Sequence, residues 1–190
     1  MPSSARERFP NLPNQLTVAR LMLSVVVFVL IALKSYLAAL VLFIVAASTD
    51  WLDGYFARRW GLITQLGRIL DPFADKIIIC GTFIFLAAEP ASLMPAWVVV
   101  LVVGRELLIT ALRGYLEQQG ADFSASMSGK LKMVAQCAAA ILSLYLLTFH
   151  GVDIPGWLPT LVVASVWATV VLTVFSGVSY IMAAAKLMRL

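Results

Sequence analysis

The sequence predicts an all-α integral membrane protein, with six transmembrane helices behind a short N-terminal juxtamembrane segment. Three observations predict it. The first is composition: 62% of the 190 residues are hydrophobic and 13% charged, with mean hydropathy +0.95, whereas a soluble domain averages roughly 45–50% apolar and about 25% charged residues. The second is the recurrence of apolar runs, at 21–33, 37–47, 77–88, 95–103, 133–148 and 158–175. A bilayer span needs roughly 20 mostly apolar residues, and a chain this short has too little interior to hide six such runs as a soluble core. The third is charge asymmetry. With the N-terminus cytoplasmic, only Lys34 of the 14 Lys and Arg residues falls in an outer loop, the bias expected for cytoplasmic loops. The reverse topology would place Arg6, Arg8, Arg58, Arg59, Lys130, Lys186 and Arg189 outside.

Each element has its own signal. Residues 1–13 form the juxtamembrane segment; within it SSARERFPN, at 3–11, is polar and basic and is expected on the membrane surface. Helix one is expected at about 14–33, ended by Lys34-Ser35. Its apolar run carries no small-residue cleavage pattern, which argues against a signal peptide. Helix two is expected at about 36–59, ended by Gly61. Helix three follows at about 66–88, ended by Glu89-Pro90, and Pro95 opens helix four at about 95–118. The polar stretch from Gly120 to Ser128 precedes helix five at about 126–149, and Gly151 to Pro159 precedes helix six at about 157–188. Cys80 and Cys137 sit in apolar helical contexts and read as small buried hydrophobes.

Helix two sets the depth of the charged residues. Its apolar part, 37–47, is too short to span alone. At about 1.5 Å per residue the whole helix reaches roughly 36 Å, so its polar last turns, from Asp50 onward, are expected near the inner boundary. Helix three starts on that side, which brings Asp71 and Asp75 to a similar depth. The two helices are expected to be antiparallel neighbours on which four aspartates converge.

The segment 48–76, STDWLDGYFARRWGLITQLGRILDPFADK, holds those four aspartates together with Arg58, Arg59, Arg68 and Lys76. Asp50 and Asp53 are three apart and Asp71 and Asp75 four apart, so each pair shares a helix face. Clustered carboxylates at a membrane boundary repel and are costly to desolvate. Protonation relieves this, and so do divalent cations, which take hard oxygen ligands together with substrate phosphates. Arginine forks suit phosphate oxygens, and the small Gly54 and Ala57 admit a ligand or another helix closely. Ion pairs that merely tie helices together are the structural alternative.

The pattern Asp50-x2-Asp53-Gly54-x2-Ala57-Arg58-x8-Gly67-x3-Asp71-x3-Asp75 resembles the signature of the CDP-alcohol phosphotransferase family at all eight positions. The resemblance covers essentially the whole chain. It implies that family's fold, with 14–190 as one six-helix catalytic domain, and transfer of a phosphatidyl or similar group from a CDP-linked lipid to an alcohol with release of CMP. It further implies two divalent ions, Mg²⁺ or Mn²⁺, held by Asp50, Asp53, Asp71 and Asp75, with Asp75 as general base. Contacts to the CDP-lipid are implied for Gly54, Ala57, Arg58, Thr64 and Gly67, and for Asn14, Gln15, Leu16 and Thr17 beside the cytidine. A homodimer in the bacterial inner membrane, among membrane lipids and with its site on the cytoplasmic side, completes the expectation. No nucleic-acid partner is expected.

Three further segments narrow the acceptor: NLPNQLTVAR at 11–20, VGRELLITALR at 103–113 and SGKLKMVAQ at 128–136. Together they resemble the phosphatidylglycerophosphate-forming branch, which uses CDP-diacylglycerol and sn-glycerol 3-phosphate; Met133 stands where that branch more often has threonine. A phosphorylated acceptor needs its own cationic pocket. Arg105 and Arg113 are eight apart and share a face of helix four. Glu106 is expected to pair with one of them or with Lys76. Lys130 and Lys132 open helix five, where free backbone N–H groups also favour anions. Arg113 and Lys130 are the first candidates for the acceptor phosphate, with Arg105 and Lys76 next. The alternatives are headgroup anchoring for the lysines and a structural pair with Glu106 for Arg105. Inositol phosphate or serine as acceptor, and a cation transporter using the carboxylates as a relay, are the competing functions. The transporter would need polar residues through the bilayer, whereas the outer halves of helices two and three are apolar.

Overall fold

The computed structural model describes the backbone of residues 12–60, 65–119, 127–149, 151 and 153–188, and the side chains of residues 18–48, 73, 74, 76–116, 118, 119, 129–149, 151 and 153–186. Six α-helices account for nearly all of it: α1 Leu12–Ala32, α2 Tyr36–Trp60, α3 Gln65–Ala87, α4 Ala96–Gln118, α5 Met127–Leu147 and α6 Trp157–Met188. Their limits fall within about two residues of those expected from the breakers. One element was not expected, a single 3₁₀ turn at Pro90–Ser92.

Local chemistry explains the connections. Lys34 adopts a left-handed conformation, φ 59°. The amide of Ser35 donates to Leu30 O at 2.8 Å and that of Lys34 to Ile31 O at 2.9 Å, the paired bonds of a Schellman closure. The last carbonyls of α1 are thereby satisfied within a three-residue link. After α3, Ser92 Oγ donates to Leu86 O at 2.6 Å and accepts from the Met94 amide at 3.1 Å. Ser92 therefore turns the chain back towards α4 without leaving a buried polar group unpaired.

The described packing closes the helices into a ring in the order α1, α2, α5, α6, α4, α3, with α3 also touching α5 across the middle. Helices two and three were expected as direct neighbours. Among the described residues the close packing runs instead through α1, which lies against both. Ala39 and Ala46 on α2 and Ala139 and Ala140 on α5 are buried, and the two helices pack together; such small residues let helix backbones approach closely.

The outer surface is inverted relative to a soluble protein. Val100 is 72% exposed, Leu107 65%, Val134 65% and Phe175 63%. Apolar cover on this scale needs a non-aqueous surrounding. Among the described residues Gly129–Leu147 and Trp157–Lys186 are long and apolar enough to cross a membrane, and α1, α2 and α3 contribute the shorter apolar stretches Val18–Ala32, Tyr36–Ser48 and Lys76–Ala87.

One contact makes a stability prediction. A Cβ on Gly81 would lie 2.1 Å from Phe28 Cζ, and Phe28 stacks on Phe85 with centroids 5.3 Å apart and planes 11° from parallel. Gly81→Ala is expected to force the Phe28 ring off its stack and destabilise the protein by about 2 kcal/mol, as overpacking does. Thermal unfolding in detergent reads the loss, and Phe28→Leu in the same chain should restore part of it.

Candidate active site

Alternation of direction places five of the relevant helix ends together: the ends of α2, α4 and α6 and the starts of α3 and α5. Asp50 and Asp53 lie in the last turns of α2, Asp71 and Asp75 in the first turns of α3, and both stretches are helical, as the three- and four-residue spacings require. Gly54, Ala57 and Arg58 follow on α2, Gly67 lies on α3, and Asn14, Gln15, Leu16 and Thr17 open α1. The side chains of all these residues lie outside the described set, and so does Thr64 altogether.

The cationic candidates lie on α3, α4 and α5, within the described residues. Glu106 on α4 is buried, 6% exposed. It accepts from Arg105 Nη1 at 3.1 Å and from Lys132 Nζ of α5. Sequence reasoning expected Glu106 to pair with Arg105, Arg113 or Lys76; Arg105 is one partner, and Lys132 is the one it missed. Lys130 and Lys132 are two positions apart, hence about 200° apart around a helix. Lys130 accordingly lies exposed while Lys132 points into the bundle with its side chain 8% exposed.

Lys76 donates to Thr110 Oγ1, and Thr110 Oγ1 donates to Glu106 O at 2.6 Å, so α3 is tied to the same turn of α4. Arg105 Nη2 donates to Ser176 Oγ of α6 at 3.1 Å. Arg113 Nη2 donates to Tyr180 Oη at 3.1 Å. Both guanidinium groups lie over the Tyr180 ring, 5.6 Å from its centroid for Arg105 and 5.9 Å for Arg113. The shared face expected from their spacing is therefore observed.

Two further features escaped sequence reasoning. Arg20, in the first half of α1, is 5% exposed, a buried cation to which no role had been attached. On α6, Thr169, Thr173, Ser176 and Tyr180 are all buried. Their spacing of four, three and four residues marks a polar stripe on an otherwise apolar helix, a signal the sequence carried.

Chemically, two cations, Arg105 and Lys132, share the carboxylate of Glu106, while Arg113 is bonded to the Tyr180 hydroxyl instead. The Nε atoms of Arg105 and Arg113 are buried with no hydrogen-bond partner among the described residues. Buried donors are rarely left so, and an anion with several oxygens is the acceptor that suits paired guanidinium groups.

The CDP-alcohol phosphatidyltransferase family model matches residues 10–178, a range that contains both aspartate-bearing helices and the cationic cluster. The chain belongs to the CDP-alcohol phosphatidyltransferase family. Relatives within it include the CDP-diacylglycerol–glycerol-3-phosphate 3-phosphatidyltransferase of Bacillus subtilis (strain 168), 37% identical over 187 residues, covering 90% of this chain and 93% of the relative. Enzymes of the same name from Rickettsia typhi (strain ATCC VR-144 / Wilmington) and Escherichia coli (strain K12) are each 34% identical over 179 residues. They cover 90% and 92% of this chain and 94% of their own lengths. The family resemblance drawn from the aspartate pattern thus agrees with similarity over nearly the full length.

Proposed function

We propose that this chain transfers the phosphatidyl group of CDP-diacylglycerol to sn-glycerol 3-phosphate, forming phosphatidylglycerophosphate and CMP. The observation that carries this is the alignment of 90% of the chain with relatives named for that reaction.

The donor set fits a divalent cation. Asp50, Asp53, Asp71 and Asp75 offer only hard carboxylate oxygens, from two helices whose facing ends are separated by residues 61–64, and such ligands suit Mg²⁺ or Mn²⁺. Two bound ions would supply charge neutralisation on the CDP diphosphate and make its phosphorus more electrophilic. The chain's own groups do the rest. Asn14, Gln15, Leu16 and Thr17 flank the cytidine, while Gly54, Ala57, Arg58, Thr64 and Gly67 lie along the diphosphate. Arg113 and Lys130, and next to them in rank Arg105 and Lys76, hold the acceptor phosphate and so orient the attacking primary hydroxyl of the acceptor, the positioning that dominates phosphoryl transfer. Asp75 takes the hydroxyl proton. The hydroxyl oxygen bonds to the phosphorus carrying diacylglycerol, and the bond from that phosphorus to the CMP oxygen breaks.

All six helices are proposed to span the bacterial cytoplasmic membrane as a homodimer, with the site facing the cytoplasm. The charge asymmetry supports that orientation. The apolar stretch Tyr36–Ser48 supports placing the aspartates of α2 at the boundary, because those 13 residues reach only about 20 Å.

An acceptor panel tests the reading. Purified protein given CDP-diacylglycerol is expected to release CMP with glycerol 3-phosphate and not with inositol phosphate or serine. Release with either of those instead would reassign the acceptor.

A further inference from the structure

We propose that Tyr180 is a positioning residue, which aims the α4 arginines at the acceptor phosphate. The inference rests on the reading that Arg113 and Arg105 serve that acceptor, and it assigns a function to a side chain on α6 that otherwise touches neither substrate. Tyr180 is 6% exposed. It stands where three helices meet: the guanidinium groups of α4 lie over its ring at 5.6 and 5.9 Å, and a Cβ on Gly129, at the start of α5, would come 3.9 Å from its hydroxyl. Lys130, an acceptor candidate in its own right, is the next residue along α5.

The two arginines depend on it unequally. Arg105 is held three ways, by Glu106, by Ser176 and by the ring. Its stem packs close to α6, where a Cβ on Gly177 would lie 3.4 Å from Arg105 Cγ. Among the described residues Arg113 is held by Tyr180 alone, through the hydroxyl at 3.1 Å and through the ring. Like charges over one ring repel, and a long cationic side chain with a single partner has many rotamers to lose. The phenol therefore fixes a conformation that Arg113 would otherwise leave, with its Nε still without a hydrogen-bond partner among the described residues. A phosphate dianion entering beside the pair meets donors already oriented, which lowers the ordering cost of binding.

Tyr180→Phe, Tyr180→Leu, Arg113→Ala and the double variant R113A/Y180F test this, with full-length protein in detergent and both substrates titrated. Tyr180→Phe keeps the ring and removes the hydroxyl. It should raise KM for glycerol 3-phosphate roughly tenfold, the size expected for a lost hydrogen bond to a charged group, with kcat and KM for CDP-diacylglycerol little changed. Tyr180→Leu also removes the cation–π contact and should raise KM further. R113A should raise KM for glycerol 3-phosphate at least as much, and R113A/Y180F should be no worse than R113A, because the tyrosine acts through the arginine. Additive effects in the double variant, or an equal rise in KM for both substrates, would overturn the positioning role while leaving Arg113 in the acceptor pocket. An unchanged glycerol 3-phosphate KM in R113A would instead remove the acceptor reading itself. Should Tyr180→Leu fail to give folded protein, Tyr180→Phe and the double variant decide the question.

Discussion

Asp75→Asn is expected to lower phosphatidyl transfer by roughly 10³-fold, the loss typical of removing a positioned general base, while the protein still folds. Asparagine has the shape of aspartate, so α3 should form as before. What it lacks is an anionic oxygen, and with it the means to take a proton from an alcohol or to serve as a charged ligand. CMP release from CDP-diacylglycerol with saturating glycerol 3-phosphate measures the first effect, and thermal unfolding in detergent measures the second. Turnover close to that of the unaltered protein would remove Asp75 from the proton-accepting role.

The second large effect falls on stability. Glu106→Gln is expected to destabilise the bundle by about 3–5 kcal/mol, because breaking a buried ion pair leaves its partners as uncompensated charges. Both Lys132 and Glu106 have side chains less than a tenth exposed, 8% and 7%, so water cannot take over the role of the lost carboxylate. The pair itself need not be strongly stabilising, since a buried ion pair exchanged for apolar groups is often neutral. Glu106→Gln combined with Lys132→Met should therefore recover part of the loss. A thermal midpoint in Glu106→Gln equal to that of the unaltered protein would show that Arg105 and Lys132 do not depend on this carboxylate.

The fold was legible because each helix end is punctuated by chemistry that acts locally. Lys34-Ser35, Glu89-Pro90 with Pro95, and Gly151 to Pro159 each stop a helix for reasons contained within a few residues, and the limits of α2, α4 and α6 follow from them closely. Helix neighbourhood is a different matter. A short link between α2 and α3 says that they run antiparallel, but not that α1 lies against both, since that depends on how small residues from distant segments nest.

At the site, the same divide applies. Arg105 and Arg113 could be placed on one face because the helical period is a property of a single segment. Lys132 could not be matched to Glu106, because that pairing joins α5 to α4 and depends on the rotation of one helix about its axis. The role of Lys132 was nonetheless within reach, given that two residues' separation from the exposed Lys130 turns it to the other side. Tyr180 and Ser176 went unnoticed because α6 was read for its apolar length rather than for the stripe running through it.

The bridge made by Glu106 also bears on how the chain assembles during synthesis. When α4 leaves the ribosome, Arg105 and Glu106 stand at adjacent positions and offset each other, so that turn of the helix needs no foreign counter-ion. The next helix brings Lys132 with no acidic residue of its own. Lys132 finds its carboxylate partner on a helix made before it, so α5 is expected to settle against α4 rather than alone, and Glu106→Gln is expected to lower the share of newly made chain that reaches the folded state, read by pulse-labelling.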